Sequence, residues 1–314
     1  MRIVVLGAGA MGSVLGGLLS RVHDVTLVGR DDHIQTINME GLRIEGKEEM
    51  TCTPEAVTEV EESVHPDIII LTVKAYDTGP SIPLVERIGG RGSMVVSMQN
   101  GLDNQFLLAE KVPRTVTGLT SWGATMIGPG RVRLAGRGDM VLGSLTGRGE
   151  DLDLVADGFA SAGIRTRLSD DITREVWMKA IVNACINPVT ALLRRENGCL
   201  LAPELTNLIE EVCREAVNVA RAWEVDIEEE EAFAKVMEVV RETSTNRSSM
   251  LQDLERGRRT EIDDITGSIT LRGDGRNVNV PVNRALWSLV RSAGRWKNPA
   301  PGNPPIQTMG VQKG

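Results

Sequence analysis

The chain opens with the stretch Met1-Arg2-Ile3-Val4-Val5-Leu6-Gly7-Ala8-Gly9-Ala10-Met11-Gly12-Ser13, in which a short apolar run leads directly into Gly-x-Gly-x-x-Gly. This order predicts a buried strand, a tight turn and the start of a helix, the arrangement that binds a dinucleotide. Gly7 permits the turn, Gly9 lets the backbone approach a pyrophosphate, and Gly12 lets the helix pack closely on the strand. The alternative is a glycine turn that binds nothing. We expect the cofactor contacts to come from Gly7, Ala8, Gly9, Ala10, Met11 and Gly12.

The second predicted strand, Val25-Thr26-Leu27-Val28, ends at Gly29-Arg30-Asp31-Asp32. An acidic residue at this point usually binds the ribose 2′-hydroxyl of NAD, whereas an arginine accommodates the 2′-phosphate of NADP. The guanidinium of Arg30 suits a phosphate, so the sequence favours NADPH, with NADH as the alternative. Asp31 and Asp32 leave another interpretation open, in which all three residues are solvated loop charges or the aspartates cap the next helix.

The composition argues against several classes of protein. With 314 residues, of which 41% are hydrophobic, the chain is long enough for two globular domains. The net charge of −8 argues against nucleic-acid binding, and no apolar run reaches membrane-spanning length. The four cysteines form no Cys-x-x-Cys pair and the three histidines are scattered, so we expect neither disulfides nor a metal site. Because the first strand begins at the N-terminus, we expect no signal peptide and a cytoplasmic protein.

The pattern of the chain changes near residue 170. Before this point, apolar runs typical of parallel strands alternate with helix-like segments. After it, helical patterns cover Glu175–Leu193, Pro203–Trp223, Glu229–Glu242, Ser249–Glu255 and Thr260–Leu271. We therefore predict an α/β fold, in which a Rossmann-type, doubly wound N-terminal domain (1–170) precedes an all-helical substrate and catalytic domain (171–298). The proline-rich end, residues 299–314, is expected to be a disordered tail.

Two polar side chains stand at the carboxyl ends of predicted strands, Lys74 in Val73-Lys74-Ala75 and Asn100 in Gln99-Asn100-Gly101. Ligands of an open α/β sheet bind at this edge. Lys74 is therefore a candidate for a cofactor phosphate or ribose, and Asn100 for the ribose next to the nicotinamide. Asn-Gly is also a common turn, which gives Asn100 an alternative and purely local role.

The helical half contains a polar stripe within an apolar helix. Lys179, Asn183 and Asn187 are spaced i, i+4 and i+8, so they lie on one face, surrounded by Val, Ile, Ala and Cys. Burying these groups without partners would cost several kcal/mol. The stripe is therefore expected to face either a polar ligand or solvent.

Two later segments have the pattern of helix starts. Ser249 with Gln252 fits a capping box, and Thr260 with Asp263 fits a variant of it. On spacing alone, Ser249 and Glu261, the residue after Thr260, are interpreted as residues of helix caps.

Taken together, these motifs resemble the ketopantoate reductase (2-dehydropantoate 2-reductase) family, and the resemblance extends over nearly the whole chain. It rests on the glycine turn, Val-Lys at Lys74, Gln-Asn-Gly at Asn100, Trp-x-Lys-x-x-x-Asn-x-x-x-Asn-Pro from Trp177, and Ser-Ser-Met-Leu-Gln-Asp followed by Thr-Glu-Ile-Asp. The last two motifs are the most specific. The resemblance implies that ketopantoate is reduced to pantoate with NADPH, on the route to pantothenate and coenzyme A.

The resemblance also implies a role for individual residues. Lys179 is expected to be the general acid, and Glu261 to hold the reacting groups in place. The expected substrate-binding residues are Asn183, Asn187, Asn197, Asn246 and Ser249. Besides the glycine turn, the expected cofactor contacts are Arg30, Lys74, Asn100 and Ala124.

These residue types suit the reduction of a ketone. An ammonium close to the carbonyl oxygen stabilises the negative charge that develops there and can then donate a proton. Burial in an apolar helix is expected to lower the pKa of Lys179, and Glu261 to raise it. Three alternatives remain: a related dehydrogenase acting on another 2-oxo or hydroxy acid, a protein that senses NADP without catalysis, and a structural scaffold, which would leave the two polar clusters unexplained. The oligomeric state stays open, with a homodimer as one option.

Overall fold

The structure, a computed structural model, describes residues 1–90, 92–145 and 149–294. Within these ranges every strand lies before residue 169 and long helices follow, which confirms the predicted fold class. The strands are β1 (Arg2–Leu6), β2 (Asp24–Val28), β3 (Leu42–Gly46), β4 (Met50–Cys52), β5 (Glu55–Val57), β6 (Ile68–Leu71), β7 (Met94–Ser97), β8 (Thr115–Thr120), β9 (Gly123–Gly128), β10 (Arg131–Gly136), β11 (Met140–Gly143) and β12 (Arg167–Leu168). The α-helices are α1 (Ala10–Leu19), α2 (Asp31–Glu40), α3 (Thr78–Gly89), α4 (Asn104–Lys111), α5 (Glu150–Ser161), α6 (Ile172–Leu193), α7 (Pro203–Ala222), α8 (Glu229–Glu242), α9 (Ser249–Glu255), α10 (Ser268–Gly275) and α11 (Pro281–Ala293).

The main sheet has the strand order β12-β11-β8-β7-β6-β1-β2-β5. All neighbours from β8 to β5 are parallel, whereas β11 runs antiparallel to β8. The chain proceeds outward from β1 to β2 and β5 on one side, and from β6 to β7 and β8 on the other. The crevice at the carboxyl ends of β1 and β6 is therefore the switch point at which such sheets bind ligands.

Successive residues of the central strands face opposite layers of helices. Val4 and Leu6 of β1 pack in the same core as residues of α3 and α4, whereas Ile3 and Val5 pack with residues of α1 and α5. Because both faces are covered, these strands are continuous apolar runs rather than alternating ones.

A second sheet was not predicted from the sequence. It has the order β4-β3-β10-β9 and packs on α1. Its strand β10 alternates buried and exposed residues, because one face lies on α1 and the other is open. Short alternating strands lack the long apolar run that makes a parallel strand visible in sequence.

The helical part is built around α6. The expectation that no segment reaches membrane-spanning length was wrong for this helix, the one helix of the described ranges with the length and hydropathy of a membrane span. However, 72% of that span is buried inside the protein. The apolar residues of α6 form one core with those of α7, α8, α9 and α11. α6 is therefore the central helix of this part, which explains why it is apolar on nearly every side.

Several predicted helix boundaries were wrong. Ser248 rather than Ser249 caps α9, because its hydroxyl accepts the Leu251 N–H at 3.2 Å. The single helix predicted from Thr260 is instead a π-helical turn, Asp263–Gly267, followed by α10. Helix α11 was missed altogether, although Pro281 at its first position is a start signal. The predicted tail, 299–314, lies outside the described residues.

Candidate active site

A cleft of about 1780 Å³ lies between the sheet and the helical part. Its walls include the glycine turn, the ends of β2, β6 and β7, strand β9, the polar face of α6 and the segment around α9. Of the predicted site residues, Gly12 is the exception, since it does not line the cleft. The fold thus brings residues that are far apart in sequence to one place, at the predicted edge of the sheet.

The glycine turn has the geometry that dinucleotide binding requires. Gly7 has φ of +107°, and a Cβ there would lie 2.6 Å from the Val73 nitrogen. A Cβ on Gly12 would lie 2.2 Å from the Gly7 carbonyl oxygen, so Gly12 serves the packing of α1. At Gly9, the nearest atom to an added Cβ is 4.0 Å away, which leaves the backbone open to the cleft. The residues of the turn therefore fit a bound dinucleotide.

Arg30 stands between β2 and α2, at the mouth of the cleft. It is exposed, whereas Asp31 and Asp32 lie in the first turn of α2. The Asp32 carboxylate accepts the His33 N–H at 2.9 Å, and the Asp31 carboxylate accepts the Gln35 amide at 2.9 Å. The two aspartates thus have local partners within α2, while Arg30 and Asp32 both line the cleft.

Glu261 is a buried carboxylate that joins the two sides of the cleft. It accepts the Ala75 N–H at 3.1 Å, the Asn100 amide at 3.2 Å and the Lys74 ammonium at 3.4 Å. The interpretation of Glu261 as a helix-cap residue was wrong, because its side chain turns away from its own helix toward the sheet. Asn100 precedes the Gly101 turn (φ +104°), which is its local role, and its amide donates to Glu261, a contact that the sequence did not indicate. Its expected contact with the cofactor ribose stays a prediction.

Lys74 is held more closely by another acidic residue, Asp253 of α9, at 2.6 Å. Burial lowers the pKa of Lys74, but the nearby carboxylates of Glu261 and Asp253 outweigh it and raise the pKa above its usual value. Lys74 therefore remains a cation at the floor of the cleft. The sequence motif contained Asp253, but nothing in its spacing indicated that its partner would be Lys74, 179 residues earlier in the loop after β6.

The polar stripe of α6 faces the cleft. Lys179, Asn183 and Asn187 all line it, and within the described ranges no hydrogen bond or ion pair engages their side chains. Burial lowers the pKa of Lys179 to about 8, although the charge of Glu261 opposes this change. The lowering of the pKa by burial and the opposing effect of Glu261 were both expected from the sequence. The ammonium is therefore present at neutral pH and loses its proton at about pH 8.

The remaining predicted residues also line the cleft, but they differ in exposure and in hydrogen bonding. Asn246 and Ser249 are exposed to it, and Ala124 lies on β9 at the opposite wall. Asn197 is buried, and its amide donates to the Thr243 hydroxyl at 2.9 Å while its carbonyl oxygen has no partner in the described structure. Asn197 therefore has one hydrogen-bonding position still to fill.

Tyr76 and Arg259 form a contact that the sequence did not indicate. The Arg259 guanidinium lies 4.3 Å from the centre of the Tyr76 ring, and both residues line the cleft. Tyr76 follows β6, while Arg259 precedes Glu261, so this pair also bridges the two sides. The run Arg256-Gly257-Arg258-Arg259, conspicuous only as a basic cluster in sequence, therefore lies at the opening of the cleft.

Comparisons with known proteins agree with this geometry. The family model described as "Ketopantoate reductase PanE/ApbA" matches residues 3–147, and "Ketopantoate reductase PanE/ApbA C terminal" matches residues 171–293. A Pyrococcus abyssi protein named 2-dehydropantoate 2-reductase is 38% identical over 93% of this chain and 97% of its own. The protein of that name from Pyrococcus horikoshii is 39% identical over the same shares.

Solved structures give the same picture at lower identity. A PanE/ApbA family ketopantoate reductase from Ralstonia eutropha JMP134 is 31% identical, with a TM-score of 0.86 over 94% of this chain and 98% of that one. A D-mandelate dehydrogenase with NADH and anilino(oxo)acetate is 28% identical, with a TM-score of 0.88 over the same shares. On the family matches and the archaeal relatives, this chain belongs to the ketopantoate reductase family of NAD(P)-dependent oxidoreductases.

Proposed function

We propose that this protein reduces 2-dehydropantoate (ketopantoate) to pantoate with NADPH, as a cytoplasmic enzyme of pantothenate and coenzyme A biosynthesis. The observation that carries the proposal is the polar stripe of α6. Lys179 and two amides face the cleft without partners in the described structure, and the ammonium has a pKa of about 8. A free acid of this strength, opposite a dinucleotide-binding turn, is the arrangement that carbonyl reduction requires.

The residues of the cleft and the cofactor have separate roles in the proposed reaction. A bound nicotinamide dinucleotide supplies the hydride to the ketone carbon. The Lys179 ammonium stabilises the charge that develops on the carbonyl oxygen and donates the proton that completes the alcohol. Glu261, held by the Ala75 N–H and the Asn100 amide, supplies a fixed negative charge that keeps Lys179 protonated.

The substrate contacts are proposed from hydrogen-bonding capacity. Ketopantoate has a carboxylate and a terminal hydroxyl besides its ketone. The amides of Asn183, Asn187 and Asn246 and the hydroxyl of Ser249 bind these groups without adding a further charge to the cleft. The unpartnered carbonyl oxygen of Asn197 accepts a hydrogen bond from the same region. These four asparagines and Ser249 form the substrate-binding set.

The choice of NADPH rests on Arg30. Its exposed guanidinium lies at the end of β2, where the adenosine ribose of a dinucleotide is bound in this type of sheet. A 2′-phosphate there receives charge-assisted hydrogen bonds that a 2′-hydroxyl cannot use as well.

The test is the oxidation of NADPH, followed by absorbance, when the protein is mixed with ketopantoate, with NADH in parallel. We expect rapid turnover that is faster with NADPH. Lys179→Ala should lower kcat by about 10²-fold or more, the scale of a lost general acid. Lys111→Ala is the matched control, because Lys111 is exposed and pairs with Glu110 at 3.1 Å outside the cleft. Near-normal turnover by Lys179→Ala would remove this residue from the mechanism.

A second candidate is reduction of another 2-oxo acid, favoured by the similarity to a D-mandelate dehydrogenase. The pocket beside Lys179 bears on this choice, because four asparagines and a serine suit a hydroxylated substrate better than an aromatic ring. Ketopantoate should therefore have a higher kcat/KM than phenylglyoxylate, the oxidised form of mandelate. The reverse order would assign the chain to the second candidate.

A further inference from the structure

Lys74 lies between two carboxylates and is shared unequally between them. Its ammonium is 2.6 Å from Asp253 and 3.4 Å from Glu261. The two acidic side chains are only 8% and 6% exposed, whereas that of Lys74 is 35% exposed. Asp253 comes from α9 and Lys74 from the end of β6, so the closer pair joins the helical part to the sheet.

Each buried carboxylate needs a counter-charge or hydrogen-bond donors. Glu261 has donors of its own in the Ala75 N–H and the Asn100 amide. For Asp253, Lys74 is the one cation within ion-pair distance among the described residues. The ammonium therefore lies closer to the carboxylate that has fewer other partners.

This division has a consequence for Lys179. Glu261 is the charged group that supports the ammonium of Lys179 against burial. If Lys74 paired wholly with Glu261, it would neutralise this support. We propose that Asp253 is a positioning residue for the reaction: by holding the Lys74 ammonium, it leaves the negative charge of Glu261 available to the proton donor, Lys179.

Other charged groups also surround this cluster. Asp264 lies close to Glu261, and burial together with the charge of Glu261 raises its pKa to about 7. Burial also raises the pKa of Asp77, against the opposing charges of Arg259 and Arg30.

Arg258, in the loop after α9, also acts on the Asp253 carboxylate, but with less effect than Lys74. Tyr76, beside Lys74, has its pKa raised by burial, so it is neutral near pH 8. These surrounding groups are the same in every variant below. Removing one charge from the cluster of two lysines and two acidic residues therefore shifts the others in a defined direction.

The experiment measures kcat/KM for ketopantoate against pH, at saturating NADPH, for a set of charge variants. Asp253→Asn should lower the pH at which activity is lost by about half to one unit, because Lys74 then turns to Glu261. Lys74→Met should raise this pH, because Glu261 no longer shares its charge. In the double variant Lys74→Met/Asp253→Asn, the two opposite shifts should largely cancel. Asp253→Glu, which keeps the charge, should resemble the wild type.

Opposite shifts that cancel cannot arise from a merely structural role, which would lower activity at every pH alike. The proposal is overturned if Asp253→Asn and Lys74→Met both lose activity at the wild-type pH, whatever their remaining rate. Melting temperatures identify any variant that fails to fold. If one of the two single variants does not fold, the other still tests the proposal, because the pH at which it loses activity either shifts or stays at the wild-type value. The inference rests on the proposed function, but the two fail differently. Absence of turnover by the wild type contradicts the proposed function. Turnover by the wild type, together with pH profiles that do not change in the variants, contradicts the role of Asp253.

Discussion

At the scale of single residues, the two lysines of the cleft show how surroundings set chemical character. Lys179 lies in an apolar helix without an ion-pair partner in the described structure, and burial lowers its pKa to about 8. Lys74 is half-buried, and two adjacent carboxylates raise its pKa above the usual value. The same residue type is therefore an acid in one position and a permanent cation in the other.

The pKa of Lys179 predicts how the rate depends on pH. Because burial lowers this pKa from its usual value of 10.5, the ammonium is present below about pH 8 and lost above it. We expect kcat/KM for ketopantoate reduction to be level at low pH and to fall about tenfold for each unit well above pH 8. Oxidation of pantoate, which needs the neutral amine, should rise through the same pH. A reduction profile that stays level to pH 10 would contradict the role of Lys179.

Arg30 predicts the cofactor preference. Arg30→Ala should weaken NADPH binding by about 10-fold to 100-fold, the loss of one or two charge-assisted hydrogen bonds, while NADH binding changes little. Fluorescence titration of the reduced cofactors measures both dissociation constants. Arg43→Ala is the control, because Arg43 is exposed on β3 and pairs with Glu40 away from the cleft. An equal loss for both cofactors would show that Arg30 does not recognise the 2′-phosphate.

At the scale of elements, each of the three glycines of the first turn is suited to its position for a different physical reason. Gly7 needs its positive φ, and Gly12 needs the absence of a side chain where α1 meets the Gly7 carbonyl. Gly9 needs neither, since its φ of −77° is open to any residue and the space around it is free. A glycine at this position, the N-cap of α1, leaves room for the close approach of a ligand.

Two matched substitutions separate these reasons. Gly12→Ala places a methyl group 2.2 Å from a backbone oxygen and should cost about 1–3 kcal/mol of stability, seen as a lower Tm. Gly9→Ala should leave Tm nearly unchanged but weaken NADPH binding by about tenfold or more, because the methyl group occupies the path of the pyrophosphate. If Gly9→Ala binds NADPH normally, the turn does not hold the phosphates.

The errors at element scale have a common cause. The segment after Thr260 was predicted to be one helix, but Glu261 turns its carboxylate to the sheet and the helix begins as a π-helical turn. Helix propensity and capping patterns are local, whereas this side chain is held by donors from strands far away in sequence. Local rules fail here at a residue of the site, where such failures are expected.

At the scale of the whole molecule, the sheet and the helical part are joined by a second contact away from the cleft. Asp103, next to α4, pairs with Arg272 of α10 at 2.6 Å and also accepts the Ser268 hydroxyl. The Arg272 guanidinium lies 5.9 Å from the Trp177 ring and 5.7 Å from the Trp223 ring. This arginine thus links both parts of the chain through charge and aromatic packing.

Arg272→Met is therefore expected to destabilise the protein by about 1 kcal/mol, or roughly 2 °C in Tm. Arg284→Met is the control, because Arg284 forms an exposed pair with Asp274 at 2.5 Å, and exposed pairs contribute little. Thermal unfolding followed by circular dichroism measures both variants. Equal melting temperatures for the two variants would mean that this contact does not stabilise the junction.

Much of the architecture was determined by the sequence alone. The glycine turn, the continuous apolar strands and the later helical periodicity predicted the fold class, because each depends on spacing along a single element. The polar stripe of α6 was visible for the same reason. The domain limits at residue 170, the homodimer and the cytoplasmic location stay predictions.

The tertiary structure alone decided which charges meet. The pairing of Lys74 with Asp253, the donors that hold Glu261 and the second sheet on α1 all join segments that are distant in sequence. Sequence periodicity reports which face of an element is apolar, but not which other element covers that face. The proposed proton donor, Lys179, was therefore readable from the chain, whereas the balance of charges that sets its pKa required the folded protein.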